Sequence, residues 1–299
     1  MTFFKEEIDI IKNIPPTNYE TYLKSKNWVK IGIIDKNTAS VWEFEKKRIT
    51  VPLDPLLADY SNVLVSILLN LEEIENRTFD SIISDLEQID VDVLKIITNK
   101  RFLSLKDTSI LINNSINLIS SATQSIITQK PYFKARYKEV SEVLNNFNIG
   151  YTEKGNFIMN IYTNISKGLF QDSCNIESEP FHRQVMIKLS TLLSIAIDAA
   201  NRGDFNPFGE AVSKGISANF CEALSEITKI CVGDDNVAIL NITWAPIRPV
   251  GKSLNLENNF VIRKDMTGIF EEVSKHLRVT PTKKDKGKTT RGNKRAFSL

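Results

Sequence analysis

Trp28-Val29-Lys30-Ile31-Gly32-Ile33-Ile34 and Ala39-Ser40-Val41-Trp42-Glu43-Phe44 are separated only by the polar turn Asp35-Lys36-Asn37-Thr38. Both runs are rich in β-branched and aromatic residues, which suit a pleated, half-buried surface. Ile49 and Val51 follow in a third segment of the same kind, and Pro52 and Pro55, which cannot donate to a ladder, close it. The pattern predicts a hairpin or three-strand meander. On its N-terminal side, Tyr22 and Leu23 among the polar residues of 19–26 make a short helix that ends at Asn27. On its C-terminal side, Val63, Leu64, Ile67, Leu68 and Leu71 fall at helical spacing, with Asp59 or Ser61 placed to cap them. The order is α-β-β-β-α.

Further along, 79–86 and 91–103 read as helices with Asp80 and Asp90 available as caps. Residues 108–128 alternate Ile and Leu with Asn and Ser at a period near 3.6, giving a long helix that Lys130-Pro131 stops. Its weak helix formers mean that packing must hold it. A helix at 139–147 is broken by Gly150 before a strand at 157–161. Glu179-Pro180 opens a helix to Ala200, and Asn206-Pro207 another to Ile230. A strand at 237–244, a partner at 260–263, and a last helix from Asp265 to about Leu277 complete the chain. The expected architecture is α+β: an N-terminal module with a helical extension over 1–104, a helical connector over 105–149, a C-terminal α+β domain over 150–277, and a disordered basic tail over 278–299.

The segment 20–74 resembles the small α-β-β-β-α domain shared by double-stranded-RNA-binding domains and HicA-type messenger-RNA-cleaving toxins. The resemblance is carried by Asn27-Trp28 ending the first helix, by Arg48-Ile49-Thr50-Val51-Pro52 leaving the sheet, and by the apolar helix that follows. Those toxins place a catalytic histidine on a strand after a Gly-Ser pair, where this chain has Ala39-Ser40-Val41. The resemblance implies a domain that holds RNA or a protein partner without cleaving RNA by that chemistry. The remaining segments, including Trp244-Ala245-Pro246, resemble uncharacterised bacterial proteins.

With 299 residues and 42% hydrophobic content, the chain can bury one large core or two modest ones. The longest apolar stretch, 189–200, is interrupted by Ser190, Thr191, Ser194 and Asp198 and falls short of the roughly 20 residues a bilayer requires, so no membrane is expected. Met1-Thr2-Phe3-Phe4-Lys5-Glu6-Glu7 lacks the zones of a secretion signal, and three scattered cysteines give no disulfide framework. The expected location is the cytoplasm. The net charge of +2 conceals an asymmetry: 278–299 holds eight Lys or Arg and the single acid Asp285, leaving 30 basic and 35 acidic residues elsewhere. A tail of +7 follows a body near −5.

That tail makes Lys283, Lys284, Lys286, Lys288, Arg291, Lys294 and Arg295 the first candidates for contact with phosphates. Arg136, beside Tyr132, Phe133 and Tyr137, and Arg183, in the first turn of a helix where a cation opposes the dipole, are further nucleic-acid candidates. Arg183 has Glu177 and Glu179 nearby as alternative partners. Trp244, at a strand end, and Phe297, in the apolar terminus, are candidates for contact with a protein. Asp35 and Glu45-x-Lys47 could hold magnesium as restriction-type nucleases do, although acid and lysine pairs on an exposed hairpin recur by chance. His182 and His276 are the only histidines, Cys221 reads as a small buried hydrophobe, and no nucleotide-binding loop occurs, so no metal site or cofactor is expected. The leading expectation is a non-catalytic nucleic-acid-associated or adaptor protein, one component of a bacterial multi-protein, defence-type system with a protein partner. A metal-dependent nuclease using Asp35, Glu45 and Lys47 is the second expectation, and a protein-interaction subunit without nucleic acid the third.

Overall fold

The computed structural model describes residues 5–34, 37–150, 157–165, 179–203, 211–232, 237–250 and 254–279. These form two compact units, one within Met1–Val91, Ile165–Phe170 and Trp244–Val250, the other within Asp92–Asn164, Gln171–Thr243 and Gly251–Leu299. The boundary lies at Val91, against 104 in the sequence division, and 105–149 shares a unit with most of 150–277.

In the first unit, helix α1 (Lys5–Asn13) precedes α2 (Pro16–Ser25). Asn27 ends α2 with a φ of 66°, a left-handed conformation that asparagine tolerates better than most side chains. This lets the Trp28 N–H donate to Leu23 O at 3.0 Å, and strand β1 (Val29–Ile34) starts directly afterwards. Strands β2 (Ala39–Phe44) and β3 (Lys47–Pro52) complete an antiparallel sheet in the order β1-β2-β3. The two-residue turn Glu45-Lys46 has φ of 45° and 72°, the paired positive values of a tight hairpin, and it sets Phe44 opposite Lys47 and Trp42 opposite Ile49.

Alternation along this register puts Ser40, Trp42, Ile49 and Val51 on one buried face, with the indole N–H of Trp42 donating to Ser40 Oγ at 3.0 Å. Against that face pack Leu64, Ile67, Leu68 and Leu71 of α3 (Tyr60–Glu75), Tyr22 and Leu23 of α2, and Ile82 and Leu86 of α4 (Phe79–Glu87). The Tyr22 hydroxyl donates to Glu75 at 2.7 Å, and Arg77 donates to both Tyr22 (3.2 Å) and Asp85 (2.8 Å), which ties α2 to the α3–α4 connection. Burial, reinforced by the Glu75 carboxylate, raises the Tyr22 phenol far above its ordinary range, so it remains a donor.

The second unit corrects one expectation. Residues 91–103 contain no helix: β4 (Val91–Ile97) is the central strand of a five-stranded sheet. Its run Val91-Asp92-Val93-Leu94-Lys95-Ile96-Ile97 is short and β-branched, and periodicity alone does not separate such a buried strand from a helix. The sheet order is β5-β6-β4-β7-β8, from β5 (Phe147–Ile149), β6 (Ile158–Asn164), β7 (Val237–Thr243) and β8 (Asn259–Arg263). Leu94, Ile96, Leu240, Ile242, Phe260 and Ile262 share one fully buried face, which the registers Leu94↔Ile242, Ile96↔Leu240 and Leu240↔Phe260 align. On the opposite face Lys95, Asn241 and Thr243 are half-exposed and Asn259 exposed, while Val93 is buried.

The helices of this unit are α5 (Leu105–Ile127), α6 (Lys138–Leu144), α7 (Phe181–Arg202), α8 (Ala218–Cys231) and α9 (Met266–Val279). Helix α8 begins at Ser217, whose side chain accepts from the Phe220 N–H, and not at Asn206-Pro207, which lies outside the described residues. Helix α5 packs on α7 and α8, and α8 on α9. The contact stretch of α5 is built from small polar residues whose hydroxyls return to their own helix: Ser115 to Leu111 O, Ser120 to Ile116 O and Thr123 to Ile119 O, at 2.6–2.8 Å. Weak helix formers are thereby buried with their polar atoms satisfied.

The most deeply buried charges among the described residues of the unit are Asp92 of β4, at 0% exposure, and Arg183, at 1%, whose Nη1 is hydrogen-bonded to it. Removing one partner of such a pair strands the other charge, a cost of about 3–5 kcal/mol, whereas replacing both by apolar residues is often close to neutral. Urea unfolding should therefore show Arg183→Met losing about 3–5 kcal/mol and Arg183→Met/Asp92→Leu recovering most of it; a loss below about 1 kcal/mol in the single variant would contradict this role.

Candidate nucleic-acid interface

A groove of about 330 Å³ opens in the second unit between α5, α8 and the loop that joins α5 to α6. From α5 it takes Asn114, Asn117, Ser121 and Gln124, spaced to form one stripe along the helix, and from α8 it takes Asn219, Glu222 and Glu226. The loop contributes Phe133, Lys134, Ala135 and Arg136.

Side-chain amides fix that loop. Asn219 accepts from the Phe133 N–H at 2.9 Å and donates to Phe133 O at 3.2 Å, while Gln124 donates to Ala135 O at 2.8 Å and the Ala218 N–H to Pro131 O at 2.7 Å. Phe133 turns into the core and meets Tyr137 edge-on at 5.9 Å between centroids. Anchoring Phe133 leaves Lys134, Ala135 and Arg136 facing outward. Arg136 donates to Asn117 Oδ1 at 2.7 Å, and Asn117 Nδ2 passes a weaker bond of 3.3 Å to Asn114.

The charges are unevenly compensated. Glu222 is bound by Arg278, while Glu226 shares Lys229 with Glu271 at 2.6 and 2.5 Å, so the acidic wall is partly neutralised from within. Among the described residues no carboxylate lies within ion-pair distance of Lys134 or Arg136. The uncompensated lip is cationic, and beside it stand amide and hydroxyl groups able to donate or accept. This suits a polyanion whose bases or sugars carry hydrogen-bonding edges.

Arg278, in the last turn of α9, also places its guanidinium 4.4 Å from the Tyr132 ring centroid. It belongs to α9, which runs to Val279, and not to a tail beginning at 278. The chain therefore leaves the described residues beside the groove wall, and the next 20 residues carry seven Lys or Arg and one Asp.

The remaining candidates separate. Lys283, Lys284, Lys286, Lys288, Arg291, Lys294, Arg295 and Phe297 lie outside the described residues, as does Asp35. Glu45 occupies the hairpin turn and Lys47 the first position of β3, both exposed, at the end of β2 opposite to the 35–38 turn. Among the described residues no group of three His, Cys, Asp or Glu side chains could hold a metal. Arg183 is a core residue, bound to Asp92. Trp244 follows β7 in the first unit and is half-buried. Cys221 and Cys231 are free and buried, and burial pushes both thiols up to about 12, the state of inert core residues.

No family model, no curated protein and no solved structure matches this chain. Its site has to be read from its own geometry. Of the groove, the sequence pointed to Arg136 and its aromatic neighbour Phe133. Lys134, Asn117 and Asn219 were missed, although Asn114 and Asn117 show the helical spacing of a polar stripe.

Asn219→Ala removes both bonds to Phe133 and leaves two part-buried backbone groups without them, a cost of about 1–3 kcal/mol. Hydrogen exchange at 131–137 should accelerate in this variant while the β4 amides keep their protection. Unchanged exchange in the loop would show that the clamp does not hold it.

Proposed function

We propose that the chain is a non-catalytic protein that associates with nucleic acid through two adjoining elements, the lip of the α5–α8 groove and the basic segment after Val279. The observation that carries this is the position of Arg278, docked on Glu222 and Tyr132 at the groove. From this point of the groove wall the sequence continues into a segment with seven basic residues. Lys and Arg that neutralise phosphates release condensed counterions, so binding of this kind falls steeply with salt. The amides of Asn114 and Asn117 offer contacts that a mobile cation cannot, to sugars or base edges. The absence of the toxin-type histidine from 39–41 supports a binding role over cleavage. In this role the protein would deliver nucleic acid to a protein partner of a multi-component assembly.

The test is fluorescence polarisation with labelled single-stranded RNA, single-stranded DNA and duplexes across a salt series. Each phosphate contact contributes about 0.7–0.9 to the slope of log affinity against log salt, or roughly five- to eightfold at 0.1 M. Deleting 280–299 should lower the slope by several units, and Lys134→Ala/Arg136→Ala by about one to two. Equal affinity of the intact chain, the deletion and the double variant would remove this function.

A further inference from the structure

The two edges of the first unit's sheet differ in kind. The β3 edge carries exposed Lys47 and Arg48 and ends in Pro52, the devices by which sheet edges resist pairing. The β1 edge carries Val29, Ile31, Ile33 and Ile34 at 62, 46, 54 and 42% exposure. Its one charged side chain, Lys30, is already neutralised by Glu20 of its own chain at 2.8 Å and lies over the Trp42 ring. Among the described residues strand β1 has a single strand neighbour, β2, which leaves the other side of its backbone as a sheet edge.

We infer that β1 pairs antiparallel with β1 of a second copy of this chain, joining two three-stranded sheets into one of six. The choice of a second copy rests on charge and register. A partner edge must be apolar and bring no cation against Lys30, and β1 itself meets both conditions in one register. With the twofold axis between Ile31 and Gly32, Val29 stands opposite Ile34 of the second copy, Lys30 opposite Ile33, and Ile31 opposite Gly32. Lys30 then never meets its own copy. In the register one and a half residues toward the N-terminus, the two lysines would be directly opposed, which is destabilising. The register with β2 puts Val29 and Ile34 on one face, opposite Glu43 and Ala39, and Ile33 on the other, opposite Ser40. Val29 and Ile34 therefore meet on one face of the new seam, and on the other the Lys30 stem lies against Ile33. The bulge between Lys30 and Gly32 adds local twist without removing the edge. Six residues give a seam of about 20 Å, short of the roughly 1,200 Å² of a standard interface, so the dimer is weak and forms with concentration.

Sedimentation velocity on the full chain from about 1 to about 500 μM spans the range in which so small an interface is populated. The apparent mass should rise from 33.9 kDa toward twice that value. Ile33→Lys sets a cation against Lys30 of the second copy and should abolish the rise. Ile33→Glu sets an anion there and should retain a dimer that salt weakens. Position 33 is more than half exposed, so both variants should keep the wild-type circular dichroism and melting temperature. A chain that stays monomeric throughout overturns the proposal, as does a dimer untouched by Ile33→Lys. Equal dissociation by both variants overturns the register.

Discussion

The candidate interface depends on a single clamp, the two hydrogen bonds between the Asn219 amide and the backbone of Phe133. A loop between helices exposes backbone groups that water would otherwise take, and its position is then free to vary. Asn219 satisfies both groups of one residue from a helix 86 positions away. With Phe133 fixed inward, the residues after it have only one side on which to emerge, so Lys134 and Arg136 come to stand over the polar stripe of α5. The clamp in turn needs α5 and α8 close together. Ser120 and Ser121 on one helix and Ala223 on the other, which line the groove between them, are small enough to allow it.

Charge is arranged around this frame in two ways. Where acids line the groove, Arg278 pairs with Glu222 and Lys229 is shared between Glu226 and Glu271, and those pairs, being exposed, add little to stability. Their effect is on the field: what remains at the lip is positive, and the chain continues from it into its most basic segment. Deep in the same unit, Asp92 and Arg183 cancel each other out of reach of solvent, where the pair fixes β4 to α7 and has no part in the surface potential. A cation's place in the sequence gives no indication of which of these uses it serves.

The first sheet was legible because its signals are local. The runs at 28–34 and 39–44, the prolines after Val51 and the Asn27-Trp28 helix end each act within a few residues, and β1, β2, β3 and α3 lie where they point. The errors are of another sort. Strand β4 was read as a helix because a buried central strand has no alternation to show, and β5, three residues long, is held by pairing with β6 and not by its own composition. Arg183 was read as a surface residue from its place in a first helical turn, although its partner, Asp92, is 91 residues away. The groove was illegible for the same reason: Asn219 and Phe133 carry no mark that they belong together.

Ultraviolet crosslinking of the full chain to single-stranded RNA and DNA, with the crosslinked peptides mapped by mass spectrometry, tests the joint use of groove and basic segment most directly. The account predicts crosslinks at Tyr132 and its neighbours through Tyr137, together with crosslinks beyond Val279, and loss of the groove set in Asn219→Ala. Crosslinks confined to the basic segment, or lying in the first unit, would contradict it.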